Sequence, residues 1–263
     1  MEQVRPPAVA GMFYPADPEQ LRATVETFLE GQHTGCHQPP KAVIVPHAGY
    51  VYSGPVAASA YVCLRPARGK IRRVVLLGPA HRVAFSGLAV PGVDYFQTPL
   101  GLVPLDKEAL ETATGLPQVR RLDEAHAFEH SLEVQLPFLQ EVLGENFGIV
   151  PLAVGDASPQ EVAEVLEVLW DGPETLIVVS SDLSHYYDYD TARKLDTITS
   201  RAIEALDPGA IHFEQACGRT PVAGLLLAAR HHGLRAETVD LRNSGDTAGD
   251  KSRVVGYGAY VFH

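Results

Sequence analysis

Ala42-Val-Ile-Val45-Pro46-His47-Ala-Gly49-Tyr50 decides how this chain is read. A short apolar run, rich in β-branched residues, stops at a proline, and a histidine follows. Two later stretches repeat the arrangement. Val74 to Leu77 runs through Gly78-Pro79-Ala80 into His81, and Leu176 to Val179 runs through Ser180-Ser181-Asp182-Leu183-Ser184 into His185. Runs of this length bounded by turn residues read as strands buried on both faces. With a fourth run at Ile149 to Leu152 and helical patterns between them, they predict an α/β fold. The expected architecture is a mixed central sheet with helices on both faces. In open α/β sheets, ligands sit beyond the carboxyl ends of the strands. Three histidines just past strand ends are therefore expected to converge on one crevice. Gly49, Gly54 and Gly78, with Pro46 and Pro79, are expected to form tight turns that aim the imidazoles. One such histidine is ordinary, whereas three in equivalent places favour a shared site.

Outward from these strands, two helix starts are clearly signalled. Asp17-Pro18-Glu19-Gln20 places an N-cap, an N1 proline and an N3 glutamine before the apolar face Leu21, Val25, Phe28 and Leu29. Ser158-Pro159-Gln160-Glu161 repeats that logic before Val162, Val165, Leu166 and Leu169. Thr220 to His232 reads as a buried helix. The alternating, glycine-bearing stretch Arg253 to Phe262 reads as an antiparallel or edge strand closing the sheet. No repeat or linker divides the chain, so residues 1–263 are expected to form one domain.

Composition narrows the function. The 263 residues carry a net charge of −11 and no extended basic cluster, which disfavours general nucleic-acid binding. Met1 to Gly11 does not read as a signal peptide. The longest apolar stretch, Val222 to Ala229, is too short to span a bilayer. A cytoplasmic protein without membrane association is the expectation. The three cysteines, Cys36, Cys63 and Cys217, are odd in number and widely spaced. No disulfide is expected of them, and Cys36 and Cys63 have no context that assigns a role.

Several ordered motifs resemble the Memo family, the B component of the AmmeMemoRadiSam gene set. They are Ala10-Gly-Met-Phe-Tyr-Pro15, Pro46-His-Ala-Gly-Tyr50, Gly78-Pro-Ala-His81, Glu129-His-Ser-Leu-Glu133, Ser180-Ser-Asp-Leu-Ser-His185, Cys217-Gly-Arg-Thr-Pro221, Asn243-Ser-Gly-Asp246 and Val254-Val-Gly-Tyr257. The resemblance spans nearly the whole chain. It implies a fold similar to class III extradiol dioxygenases, whose non-haem iron is held by two histidines and a carboxylate. Carried over, His47 and His81 match the histidine ligands, and Cys217 takes the third position in place of the carboxylate. His185 matches the acid/base histidine, with Asp182 in the same motif. The implied cofactor is a divalent metal, iron preferred, with copper or zinc as alternatives, since thiolate is a soft donor. The implied function is an oxidoreductase on a small aromatic or anionic molecule. The alternatives are a non-catalytic metal- or ligand-binding protein that works with a radical-SAM or other partner and, behind it, a metal-dependent hydrolase. A position just before a helix start is expected to lower the Cys217 pKa.

Other motifs compete. His126-Ala-Phe-Glu129-His130 fits a zinc-peptidase pattern that needs a continuous helix and another carboxylate. Glu129 and His130 are instead expected beside the crevice, and Ser131 as a cap for the helix through Leu136 and Leu139. Ser, Asp and His in residues 180–185 invite a hydrolase reading, but no G-x-S-x-G elbow supports it. For Asp182, an Asx-turn and a supporting role behind the ligands both stand open. Tyr50 and Tyr52 are candidates for the pocket wall, with core or surface packing as the default. Asn243 to Asp246 lacks calcium-loop spacing and reads as a turn.

Overall fold

The computed structural model describes residues 2–32, 36 and 38–263. Its strands are β1 (Val4–Arg5), β2 (Ala42–Val45), β3 (Arg73–Pro79), β4 (Leu88–Val90), β5 (Tyr95–Thr98), β6 (Gly101–Pro104), β7 (Val119–Arg121), β8 (Gly148–Val154), β9 (Thr175–Ser180), β10 (His185–Tyr187), β11 (Ala236–Asn243) and β12 (Val254–Phe262). Nine of them form the main sheet, in the order β10-β12-β2-β9-β3-β8-β4-β7, with β11 also paired to β12. β2, β9, β3 and β8 run parallel. β12 joins antiparallel to β2, and β4 antiparallel to β8, so the sheet is mixed. β1, β5 and β6 make a separate three-stranded sheet. All four apolar runs are strands of the parallel centre, buried end to end apart from the first residues of β3 and β8. This is the α/β class expected from the alternation of strand and helix.

The signalled helices form for the expected reasons. Asp17 accepts the Gln20 amide at 2.8 Å, and the helix Pro18–Glu30 buries Leu21, Val25 and Leu29. Ser158 and Glu161 form a reciprocal capping box that starts the helix Pro159–Leu169. The helix Arg219–His231 packs against it where Gly224 allows close approach. A Cβ on Gly224 would lie 2.3 Å from Val162 Cγ1.

Several expectations are corrected. Of the two alternatives for β12 the antiparallel one holds and the edge one does not, because β11 pairs along it from Gly256 to Phe262. Gly54 lies inside the helix Tyr50–Tyr61, not in a turn, and its missing Cβ leaves room for the Phe28 ring. Gly78 lies within β3, against Ser131. Ser131 caps no helix: its hydroxyl donates to the Pro79 carbonyl at 2.9 Å. Cys36 and Cys63, expected to be unpaired, form a disulfide with Cα atoms 5.3 Å apart. The chain after the first helix returns to the segment Val62–Ala67, a proximity that their separation of 27 residues does not reveal. No helix among the described residues is long and apolar enough to cross a membrane.

Candidate metal centre

Parallel register brings the site together. Val45 pairs with Ser180, and Leu77 with Val179, so the carboxyl ends of β2, β9 and β3 lie side by side. His47, Asp182 and His81 each stand two residues past such an end. Cys217 enters from the far side, just before the helix Arg219–His231, whose N-cap is Gly218. Close approach is needed there too, since a Cβ on Gly218 would meet the Ser180 carbonyl at 2.8 Å. His47, His81 and Cys217 each offer one donor atom, and these atoms lie within 4.8 Å of one another.

The hydrogen bonds around Ser180 place the His47 proton on Nδ1. The Ser180 hydroxyl donates to the Ser131 carbonyl at 2.6 Å and accepts Gln135 Nε2 at 2.8 Å. The Gln135 amide is itself oriented. Its Nε2 also donates to the Pro46 carbonyl, and its Oε1 accepts the Tyr61 hydroxyl at 2.9 Å. Ser180 Oγ has no proton left for His47 Nδ1, 2.9 Å away, so Nδ1 is the donor. The Nε2 lone pair then faces Cys217 Sγ at 3.2 Å. Burial, then the neighbouring His81, pushes the His47 pKa down to about 3, which keeps the ring neutral.

His81 is held by one carboxylate. Glu129 accepts the His81 backbone amide through Oε2 at 2.6 Å and lies 2.9 Å from Nδ1 through Oε1. The amides of His130 and Ser131 donate to the same Oε1. Burial alone would raise the Glu129 pKa, but the bonds from His81 and Ser131 win and bring it to about 2. An ionised carboxylate accepts only, so His81 Nδ1 carries its proton and Nε2 is the free donor.

The third donor departs from expectation. The Cys217 thiol is pushed up to about 12, first by burial and then by the nearby Asp182 carboxylate. The helix start does not overcome that. Without a cation the proton stays on sulfur, which donates towards His47 Nε2. The donor set fits a divalent metal ion. Ligand atoms about 2.1 Å (nitrogen) and 2.3 Å (sulfur) from one ion stand roughly 3.1–3.6 Å apart, as this pair does. A divalent ion would displace the thiol proton, as coordination of a thiol generally does.

Asp182 and His185 line the same cavity of about 1010 Å³. Asp182 is only 4% exposed, and its Oδ1 accepts the His47 backbone amide at 2.7 Å. It supports the strand end that carries His47, and burial raises its pKa. The His185 Nδ1 donates to the Leu183 carbonyl at 2.8 Å, which leaves Nε2 free. Tyr52 lines the cavity, whereas Tyr50 belongs to the core, its hydroxyl bonded to the Val134 carbonyl. Arg82, Arg219 and Arg253 share the wall with Glu214 and Asp250.

The peptidase pattern does not assemble. The helix Glu124–Ala127 ends before Glu129, and buried His126 bonds to the Ala89 carbonyl instead. His130 does reach the site: its ring stacks on His81 with centroids 4.8 Å apart. Its Nδ1 lies 3.3 Å from Glu129 Oε1 but is not aligned for a hydrogen bond. Sequence reading missed the roles of Ser180 and Gln135: Ser180 lies inside a matching motif, whereas Gln135, two residues past Glu133, lies outside any.

The family model described as "Memo-like protein" matches residues 5–261. A MEMO1 family protein of Methanopyrus kandleri is 41% identical over 286 residues, covering 98% of each chain. One of Aquifex aeolicus is 40% identical over 272 residues, covering 99% of each. Among solved structures, the uncharacterized protein JW3007 from Escherichia coli K12 shares the fold. Its TM-score is 0.57 at 15% identity, over 84% of this chain and 98% of that one. Matched by the family model almost from end to end, and by full-length relatives at this level of identity, the chain belongs to the Memo-like protein family.

Proposed function

We propose that the protein binds a divalent metal ion through His47 Nε2, His81 Nε2 and Cys217 Sγ, with iron preferred and copper or zinc as alternatives. We propose further that it acts as a dioxygenase-like oxidoreductase on a small aromatic or anionic substrate. One observation carries the metal reading. Two imidazoles, each with its Nδ1 proton fixed by a buried acceptor, offer their remaining nitrogens beside a thiol that lines the same cavity. Such pre-oriented donors lose little freedom on coordination.

When bound, the ion would supply a redox and Lewis-acid centre with net charge near +1, given two neutral imidazoles and one thiolate. That charge favours phenolate or carboxylate groups, and the wall arginines add further partners for them. His185, with Nε2 free, is suited to take a proton from a substrate hydroxyl. Asp182 holds the His47 backbone in place.

Anaerobic purification followed by metal analysis tests the first claim. Near-stoichiometric metal in wild type, lost in His47→Ala and Cys217→Ala, is expected. Substoichiometric metal unchanged by either substitution would sink it. Oxygen consumption with a panel of catechols tests the second claim. The thiol in place of a carboxylate favours one other reading, a metal- or ligand-binding protein that acts with a partner. Recovery of a stable partner with no turnover would select that reading.

A further inference from the structure

A second cluster of donors lies apart from the cavity, on the outer surface of two packed helices. Glu167 sits in the last turn of the helix Pro159–Leu169, His231 ends the helix Arg219–His231, and His232 is its C-cap. His231 Nδ1 lies 3.0 Å from Glu167 Oε1, and His232 Nε2 lies 2.9 Å from Glu167 Oε2. The three donor atoms lie within 4.8 Å of one another. We propose that Glu167, His231 and His232 form a second binding site for a borderline transition-metal ion of the zinc, copper or nickel type.

Three features favour a cation there. Two helices end at the cluster, and each brings the partial negative charge of its unsatisfied carbonyls. Glu167 stands against the local preference of its own helix, since an acidic side chain in the last turn opposes that charge. A positive ion between the two helix ends offsets both. The two contacts to Glu167, at 3.0 and 2.9 Å on its two oxygens, are close to the roughly 3.0–3.4 Å that separates nitrogen and oxygen donors about 2.1 Å from one ion. Two imidazoles and a carboxylate suit zinc, copper and nickel better than magnesium or calcium. Coordination requires each neutral ring to carry its proton on the nitrogen that faces away from Glu167.

The positions are also held before any ion arrives. Trp170 stacks flat on His232, with centroids 3.9 Å apart and planes 5° from parallel. Lys41 lies over the same indole, 5.4 Å from its centroid, while its ammonium donates to the carbonyls of Trp170, Gly172 and Thr175. Gly224 fixes the approach of the two helices, as described above. His231 remains largely exposed, so an ion would reach the cluster from solvent and keep water on its open positions.

Trp170 is the chain's one tryptophan, and it reports on the cluster directly. Chelator-treated protein is titrated with Cu²⁺ while tryptophan fluorescence is followed. A saturable quench is expected in wild type and in Cys217→Ala. Its loss is expected in His231→Ala and in Glu167→Gln, both surface changes whose folding is checked by circular dichroism. Absence of a saturable quench in wild type overturns the proposal. So does a quench that survives in both surface variants, or one that vanishes in Cys217→Ala. The Cys217→Ala arm separates this cluster from the cavity, so the two metal proposals succeed or fail independently.

Discussion

Arg5 donates through Nη2 to the Glu129 carbonyl at 2.7 Å, which ties the first strand of the chain to the loop that orients His81. The same guanidinium donates through Nε to the His126 carbonyl and pairs with the Glu133 carboxylate. Glu133 is fully buried and also accepts Tyr14 and the amides of Ala8 and Val9. Removing one partner of such a pair leaves an uncompensated charge. Arg5→Ala is therefore expected to cost about 3–5 kcal/mol of stability, read by denaturant unfolding. A loss below about 1 kcal/mol would show that the strap is not an anchor.

Glu129→Gln tests how His81 is held. The carboxylate accepts four N–H groups from His81, His130 and Ser131. An amide replaces one acceptor oxygen with a donor and must turn an NH₂ towards one of them. Metal affinity is expected to fall about 10–100-fold, measured by chelator competition. Unchanged affinity would mean that His81 does not depend on this carboxylate.

Much of this arrangement was legible in the sequence, and the reason is periodicity. Apolar runs that stop shortly before His47 and His81 place those residues at the ends of neighbouring strands, whereas Asp182 stands two residues past the end of β9, with His185 three residues further on at the start of β10. What holds their side chains was not legible. Ser180 reaches His47, and Gln135 reaches Ser180, only because β9 and the segment after Ser131 lie beside β2. No local pattern encodes that adjacency. Gly54 misled because glycine marks both turns and close packing, and here the Phe28 ring decides the case. The Cys217 thiol misled for a related reason: a helix start is visible in sequence, whereas the burial that outweighs it is not.

Ser180→Ala should act on His47 through its proton. The hydroxyl is the acceptor for Nδ1, and without it only the weak thiol donor of Cys217 at Nε2 still favours the tautomer with the proton on Nδ1. A drop of about tenfold or more in metal affinity is expected. Nitrogen NMR of the apo protein should show both neutral tautomers of His47 in the variant and one in wild type. A single tautomer in both proteins would contradict this account.

Asp196 makes a pH-dependent contribution of the opposite sign to the usual carboxylate. Burial raises its pKa from 3.8 to about 6, although the Ser184 amide donates to it and opposes the rise. The folded protein thus binds this proton more tightly than the unfolded chain does. The group's penalty is fully present above pH 6 and is relieved as pH falls from 6 towards 3.8. About 1.4 kcal/mol per pKa unit makes it roughly 3 kcal/mol at neutral pH. Asn at this position keeps an oxygen for the Ser184 amide and carries no charge. Asp196→Asn is expected to be more stable than wild type at pH 8, with the two converging near pH 4. Equal stability at pH 8 would show that the carboxylate is better solvated than its burial suggests. The substitution leaves the donors of His47, His81 and Cys217 untouched, so metal content should not change with it.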